Sequence, residues 1–273
     1  MKKATLSPYI LWSSLFIIVP LLLVVYYSVT IETPEGIELS LENFKKFFEP
    51  IYLKVLWRSI ILALISTVIC LILGYPAALI LAGKSFKRSN TLIMLFMLPM
   101  WMNFLLRTYA WLTLLEKNGL VNMIFQAIGL QPLNILYTET AVILGMVYNF
   151  LPFMVLPIYS VVSKIDRSII EAAEDLGANS LIVFLRIILP LSIPGVVSGI
   201  TMVFMPAVTT FVISRLLGGG QFMLIGNLIE QQFLFVGDWG FGSAISVVMI
   251  LVILVSIGFM SRFENEEQGG RLW

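Results

Sequence analysis

Six stretches of the chain stay apolar long enough to cross a lipid bilayer, which takes about 20 residues at 1.5 Å each. They lie at residues 9–29, 59–81, 92–115, 141–162, 193–213 and 243–259. Within them the apolar residues are continuous rather than spaced at i, i+3 and i+4, so every side of each helix suits lipid or another such helix. Glycine and proline interrupt several runs, at Gly74-Tyr75-Pro76, Pro99, Pro152 and Pro157. Membrane helices accommodate these residues where neighbouring groups re-satisfy the freed backbone. The first run is too long for the core of a secretory signal, and Tyr26-Tyr27-Ser28-Val29 is no small-residue cleavage site, so it is read as a retained span. This predicts an all-α integral membrane protein with six transmembrane helices, residues 1–273 forming one membrane domain.

The polar connections orient the spans. Lys2 and Lys3 precede the first; Lys84, Lys87 and Arg88 follow the second with no acid among them; Lys164, Arg167 and Arg186 follow the fourth. The first connection is acidic at Glu32, Glu35, Glu38, Glu42 and Glu49, and the third and fifth hold only Lys117 and Arg215 as basic residues. The excess of Lys and Arg places both termini on the cytoplasmic side, N-in and C-in. Lys45, Lys46, Lys54 and Arg58 on the opposite side pull against this without reversing it. In the first connection, 31–56, Ser40 is positioned to cap a short amphipathic helix. Leu41, Phe44, Phe47 and Phe48 would share one face of it, lying along the membrane interface.

Composition narrows the chemistry. The 273 residues are 59% hydrophobic and 12% charged, roughly half the charge fraction of a soluble domain. A formal net charge of +1, with no basic run interleaved with aromatics, argues against nucleic acid as a partner. Histidine is absent, which removes the commonest general base and metal ligand. The single cysteine, Cys70, lies in an apolar run and reads as an inert buried thiol. Nothing here calls for a cofactor or a metal. Gly218-Gly219-Gly220 lacks the following Lys-Ser/Thr and the strand-to-helix context of a phosphate cradle. It reads as a turn before a partly apolar segment, 222–233, expected to dip back toward the translocation path.

The connection after the fourth span, 163–192, is longer and more structured than a tether needs. Asp166 or Ser168 can cap a short helix there; with Ser168 as the cap, Glu171 falls at the capping-box position. Ile169, Ala173 and Leu176 share one face, and Ala172 adds helix propensity. Gly177 supplies the left-handed residue that ends a helix, and Ser180 can cap a second one running to Pro190. A surface elbow and a docking site for a cytoplasmic partner fit these residues equally.

Glu171-Ala172-Ala173, three residues, Gly177, nine residues, then Ile187-x-Leu189-Pro190 resembles the EAA motif of ABC importer permeases. The likeness extends along the chain. Leu73-Gly74-Tyr75-Pro76-Ala77, Arg107-Thr108-Tyr109-Ala110-Trp111, Leu217-Gly218-Gly219-Gly220, Ile225-Gly226-Asn227 and Asp238-Trp239-Gly240-Phe241-Gly242 resemble the spermidine/putrescine permeases of that family. Permeases for iron, sulfate or molybdate share the architecture and some of these phrases. The resemblance implies that the elbow is a coupling helix fitting a groove in the ATP-hydrolysing subunit. Glu171, Ala172, Ala173 and Gly177 would then form the docking surface, and Ile187, Leu189 and Pro190 would anchor it to the next span. It further implies a related second permease, a dimer of ATP-binding subunits, an extracytoplasmic substrate-binding protein and a polyamine cargo. Such a permease catalyses no covalent chemistry; ATP hydrolysis belongs to its partner.

No acidic residue lies inside a span, although the implied cargo is a polycation. Charge for it could come from Glu116, Glu139, Glu230 and Asp238 at the outer mouth, from a partner permease, or from aromatic faces at about 0.5–2 kcal/mol per cation–π contact. Trp101 and Tyr109, eight residues apart and so on roughly one helix face, are the candidate pathway aromatics, with Glu230 and Asp238 at the entrance. Their alternative role is to anchor the helices at the membrane interface. Arg107 lies well inside the third run; it either snorkels to the interface or pairs with a carboxylate or helix end within the bundle. An ion-driven secondary transporter would place ionisable groups at mid-membrane, and a membrane enzyme would need a catalytic cluster there. Neither pattern is present in these spans.

Overall fold

In the computed structural model, residues 9, 11–33, 36–83 and 89–269 are described. Lys2, Lys3, Lys84, Lys87 and Arg88, on which the orientation rests, lie outside these residues, as do Glu35 and the end of the polar tail at Gly270. Among the described residues, five helices are long and apolar enough to span a membrane. They are α1 (Leu11–Ser28), α3 (Pro50–Ala82), α7 (Glu139–Val162), α9 (Ser180–Thr209) and the apolar part, Trp239–Ser261, of α12 (Trp239–Gly269). Interior prolines leave these rods intact: Pro76 in α3, Pro152 and Pro157 in α7, Pro194 and Pro206 in α9.

The third predicted span is not one rod. It divides into α4 (Ser89–Trp101) and α5 (Phe104–Leu115), and the chain bends by 88° from Thr91–Trp101 to the stretch Phe104–Ala127. Two local features cause the break. Pro99 brings no N–H to the last turn of α4, and Asn103 takes an extended ψ of 131° while its side chain accepts the Leu105 N–H at 2.8 Å, starting a new helix. Six crossings therefore result only if this bent pair counts as one.

The chain forms two compact units. The first comprises the chain up to Trp57 together with Leu224–Val255. It contains an antiparallel hairpin, β1 (Thr30–Thr33) with β2 (Gly36–Leu39), a departure from the expected all-α fold. The hairpin alternates apolar Ile31, Ile37 and Leu39 with charged Glu32 and Glu38, the period of two that a strand requires. After it comes α2 (Glu42–Phe47), whose N-cap is Leu41 rather than the expected Ser40; the Ser40 hydroxyl, one residue earlier, accepts the Glu42 N–H at 3.1 Å. The predicted apolar face is not buried as a set. Asn43 and Phe47, one turn apart, face inward, whereas Leu41 and Phe48 are exposed. Asn43 reaches inward because its amide donates to the carbonyls of Thr30 at 3.0 Å and Ser28 at 3.4 Å. Phe47 joins Leu224, Ile225, Leu228, Phe241, Ala244 and Ile245 in the core of this unit. Leu224, Ile225 and Leu228 lie at the start of α11 (Ile225–Gln231).

The second unit comprises Arg58–Met223 and the chain from Ser256 onward. It includes α6 (Leu120–Ala127), α8 (Arg167–Asp175) and α10 (Val212–Leu217). Helices α7 and α9 pack most closely, because glycines let the backbones approach. A Cβ on Gly199 would meet Met154 Sδ at 2.8 Å and its carbonyl oxygen at 3.1 Å; one on Gly195 would meet the Pro157 carbonyl at 2.9 Å. Gly74 on α3 is held similarly, with Met154 Cγ at 3.0 Å from its Cβ position. On α7, Gly145 receives the side chains of Ile213 and Leu217 from α10. Gly219, at φ +59°, lies under the Tyr137 ring, where any side chain would clash. The glycine triplet is thus a packed turn.

Candidate coupling site and carboxylate cleft

The elbow is built as two helices around a glycine. Asp166 is the cap of α8: its Oδ1 accepts the Ser168 N–H at 3.0 Å, which decides between the two expected caps. At the far end the Gly177 N–H donates to the Glu174 carbonyl at 2.9 Å and the Ala178 N–H to the Ala173 carbonyl at 3.0 Å. With Gly177 at φ +86°, this is a Schellman ending. Asn179, one residue before Ser180, caps the second helix by accepting the Ile182 N–H at 2.9 Å.

That second helix does not stop at Pro190. It continues through a π-helical turn, Phe184–Ile188, into the long rod that ends at Thr209. The wider π turn changes the bonding register just before the proline, whose missing N–H and ring would otherwise conflict with the preceding turn. Ile187, Leu189 and Pro190 thus lie within one continuous helix with the span, as half-buried or exposed positions.

Helix α8 buries none of its residues. Glu171 and Ala172 are exposed, Ala173 is half-buried, Gly177 is exposed, and Leu176 is 90% exposed. Ile170 turns the other way and lines a cavity of about 460 Å³ with Leu79, Ala82, Val162, Ser163 and Ile188. Sequence reasoning missed how the second arm is tied to α3. The Tyr75 hydroxyl lies 2.7 Å from the Ser192 hydroxyl, and the Tyr75 ring meets Phe184 edge-on at 5.9 Å. The signal was present as Tyr75 in the Gly-Tyr-Pro phrase, but its partner is 117 residues away.

A second candidate site lies in the unit that holds the hairpin. Asp238 caps α12 through Oδ1, which accepts the Phe241 N–H at 2.9 Å. Its Oδ2 receives Lys46 Nζ at 3.1 Å. The same ammonium lies 4.2 Å from the centroid of the Phe241 ring, which Tyr52 supports edge-on at 4.8 Å. Beside Asp238 opens a cavity of about 590 Å³, lined also by Tyr27, Thr30, Ile37, Asn43 and Trp239. Gly240 is required there, since a Cβ would meet the Asn43 amide at 2.8 Å.

The other pathway candidates are not gathered at this cleft. Glu230 lies on α11 and is half-buried. Trp101 is 69% and Tyr109 51% exposed, on α4 and α5 respectively. The 88° bend removes the shared helix face that their spacing suggested. Glu139 is engaged elsewhere, accepting from Arg58 Nε at 2.7 Å, with the Arg58 guanidinium 4.7 Å from the Phe222 ring.

Arg107 follows neither expectation. Its residue is only 8% exposed, so it does not snorkel, and its buried Nε and Nη1 have no hydrogen-bond partner among the described residues. Asn149 Oδ1 on α7 is likewise buried and unpartnered, while its amide donates to the Gly145 carbonyl at 2.9 Å.

Comparison with known proteins agrees with this architecture. The profile of the family described as "binding-protein-dependent transport system inner membrane component" matches residues 74–266. The chain is 40% identical over 265 residues to the spermidine/putrescine transport system permease protein PotB of Haemophilus influenzae, covering 93% of this chain and 92% of that protein. It is 40% identical over 247 residues to PotB of Escherichia coli, covering 89% and 90%. The inner membrane ABC transporter permease protein YdcU of Escherichia coli is 29% identical over 239 residues, covering 82% and 76%. Among solved structures, a bacterial ABC transporter involved in the import of the acidic polysaccharide alginate superposes with a TM-score of 0.80 at 17% identity, over 95% of this chain and 94% of that one. That likeness is one of fold. A profile spanning well over half of the chain, and relatives at 40% identity over nearly all of it, lead to one assignment. The chain belongs to the family of binding-protein-dependent transport system inner membrane components, the multi-pass permeases of ABC importers in the cytoplasmic membrane.

Proposed function

We propose that this chain forms half of the translocation pathway of an ATP-driven importer for polyamines, spermidine or putrescine. The observation that carries the reading is 40% identity to spermidine/putrescine permeases over about nine tenths of both chains. Both termini lie in the cytoplasm, the bent α4–α5 pair serves as one of six crossings, and the whole chain acts as one permease domain. Helix α8 is the coupling helix. Its Glu171-Ala172-Ala173 surface and the turn at Gly177 dock on a dimer of ATP-binding subunits resembling PotA. Its second arm carries their closure, through Ile187, Leu189 and Pro190, into α9 as a rigid-body movement. The exposed apolar Leu176 and the absence of buried residues on α8 support a docked partner.

A related permease resembling PotC supplies the other half of the path, and an extracytoplasmic binding protein resembling PotD delivers the cargo. A solved relative in fold is itself described in complex with a periplasmic protein bound to its alginate oligosaccharide. Trp101, Tyr109, Glu230 and Asp238 contribute to the path, which needs weak sites because tight binding would stall release. Reconstitution of the four components in proteoliposomes tests the assignment. Loaded polyamine-binding protein is expected to stimulate ATP hydrolysis and polyamine uptake together. Stimulation only by iron, sulfate or molybdate with its own binding protein would refute the cargo and leave the architecture intact.

A further inference from the structure

Lys46 ends in a primary alkylammonium, the same chemical group that ends spermidine and putrescine. It rests on Asp238 Oδ2 at 3.1 Å and over the Phe241 ring at 4.2 Å. A carboxylate and an aromatic face are the two groups that recognise such a cation. The carboxylate is preorganised, because Oδ1 is tied to the Phe241 N–H and Oδ2 is left to face the ammonium. The pair is open to solvent, with the Lys46 side chain 41% and that of Asp238 33% exposed. Exposed pairs contribute little to stability, so a competing ammonium can exchange with Lys46 at small cost. The adjoining cavity of about 590 Å³ is large enough for a small molecule. It offers the Tyr27 and Trp239 rings, 6.2 Å apart, to the remainder of a flexible aliphatic cation. The positive end of the α12 dipole lies behind the carboxylate and weakens its hold, which suits a site that must release.

Resting on the polyamine reading above, we propose that Asp238, Phe241 and Trp239 form a primary-ammonium subsite, and that Lys46 occupies it as a tethered competitor until an ammonium end of the cargo displaces it. This gives the pathway a carboxylate that is never left bare.

The test is polyamine uptake by the complete reconstituted importer at limiting loaded binding protein, with equal amounts of assembled complex. Lys46→Gln frees the carboxylate and is expected to raise uptake about two- to fivefold. Lys46→Arg holds it bidentately and more tightly, and is expected to lower uptake. Asp238→Asn keeps the helix cap through its side-chain carbonyl but loses the charge, and is expected to lower uptake about tenfold. A structural clasp predicts the reverse order at Lys46, with arginine tolerated and glutamine harmful, and this result overturns the proposal. So would equal losses for Lys46→Gln and Asp238→Asn. If the unaltered importer moved another cargo and no polyamine, the cargo reading would fall first, a separate and recognisable outcome.

Discussion

Gly177 shows how one backbone conformation can end a helix and, in the coupling role proposed above, shape a docking surface. Its φ of +86° closes α8, yet no atom of the described residues lies within 4 Å of where a Cβ would be. A side chain there is opposed by backbone strain of about 1–2 kcal/mol rather than by a clash within this chain. Asparagine tolerates the left-handed region and valine does not. Gly177→Asn is therefore expected to keep more coupled transport than Gly177→Val, read as polyamine moved per ATP hydrolysed; equal behaviour would remove the conformational argument. Arg107 is a different case. A guanidinium stays charged, and burying it with Nε and Nη1 unpaired costs on the order of several kcal/mol. Arg107→Met, of similar length, is expected to raise the thermal midpoint of the purified chain in detergent, whereas Arg107→Ala leaves a cavity and lowers it. A lower midpoint for Arg107→Met would mean that the charge is satisfied after all.

Helix pairing in the larger unit depends on small residues in register. Gly195 and Gly199 are four apart on α9 and press on α7 at Pro157, Ile158 and Met154. The Gly-x-x-x-Gly spacing was visible in the sequence; the helix face it would meet was not. Gly199→Leu places a branched side chain where the Met154 sulfur and backbone already lie within 2.8–3.4 Å of a Cβ. Monodisperse protein recovered from membranes is expected to fall severely, while Gly258→Leu, with nothing within 4 Å, leaves it unchanged. Two elements differ in detail from what the sequence suggests, each for a local reason. The 92–115 run was read by hydropathy, which does not register that Asn103 both caps and turns the chain. The hairpin's alternation is short and charged, and so resembled a polar loop.

As a permease of an ABC importer the protein works with partner subunits, and the coupling role proposed for α8 makes a prediction at this scale. Leu176 stands almost fully exposed at the C-cap of α8, a helix with no buried residue of its own, where the ATP-binding partner proposed above would cover it. Leu176→Glu is expected to reduce co-purification of the ATP-binding subunits about tenfold or more, since it puts a charge into an apolar contact. Retention of those subunits at the unaltered level would place the docking surface elsewhere. The long apolar runs and the EAA elbow were legible from local sequence because each depends on residues close together. Continuous hydropathy reports burial in lipid, and caps and a left-handed glycine act within one turn. What local sequence left open depends on residues far apart in the chain. The pairing of Lys46 with Asp238 across 192 residues, the Tyr75–Ser192 contact and the burial of Arg107 arise from packing between distant helices, and no periodicity along the chain encodes which of them will meet.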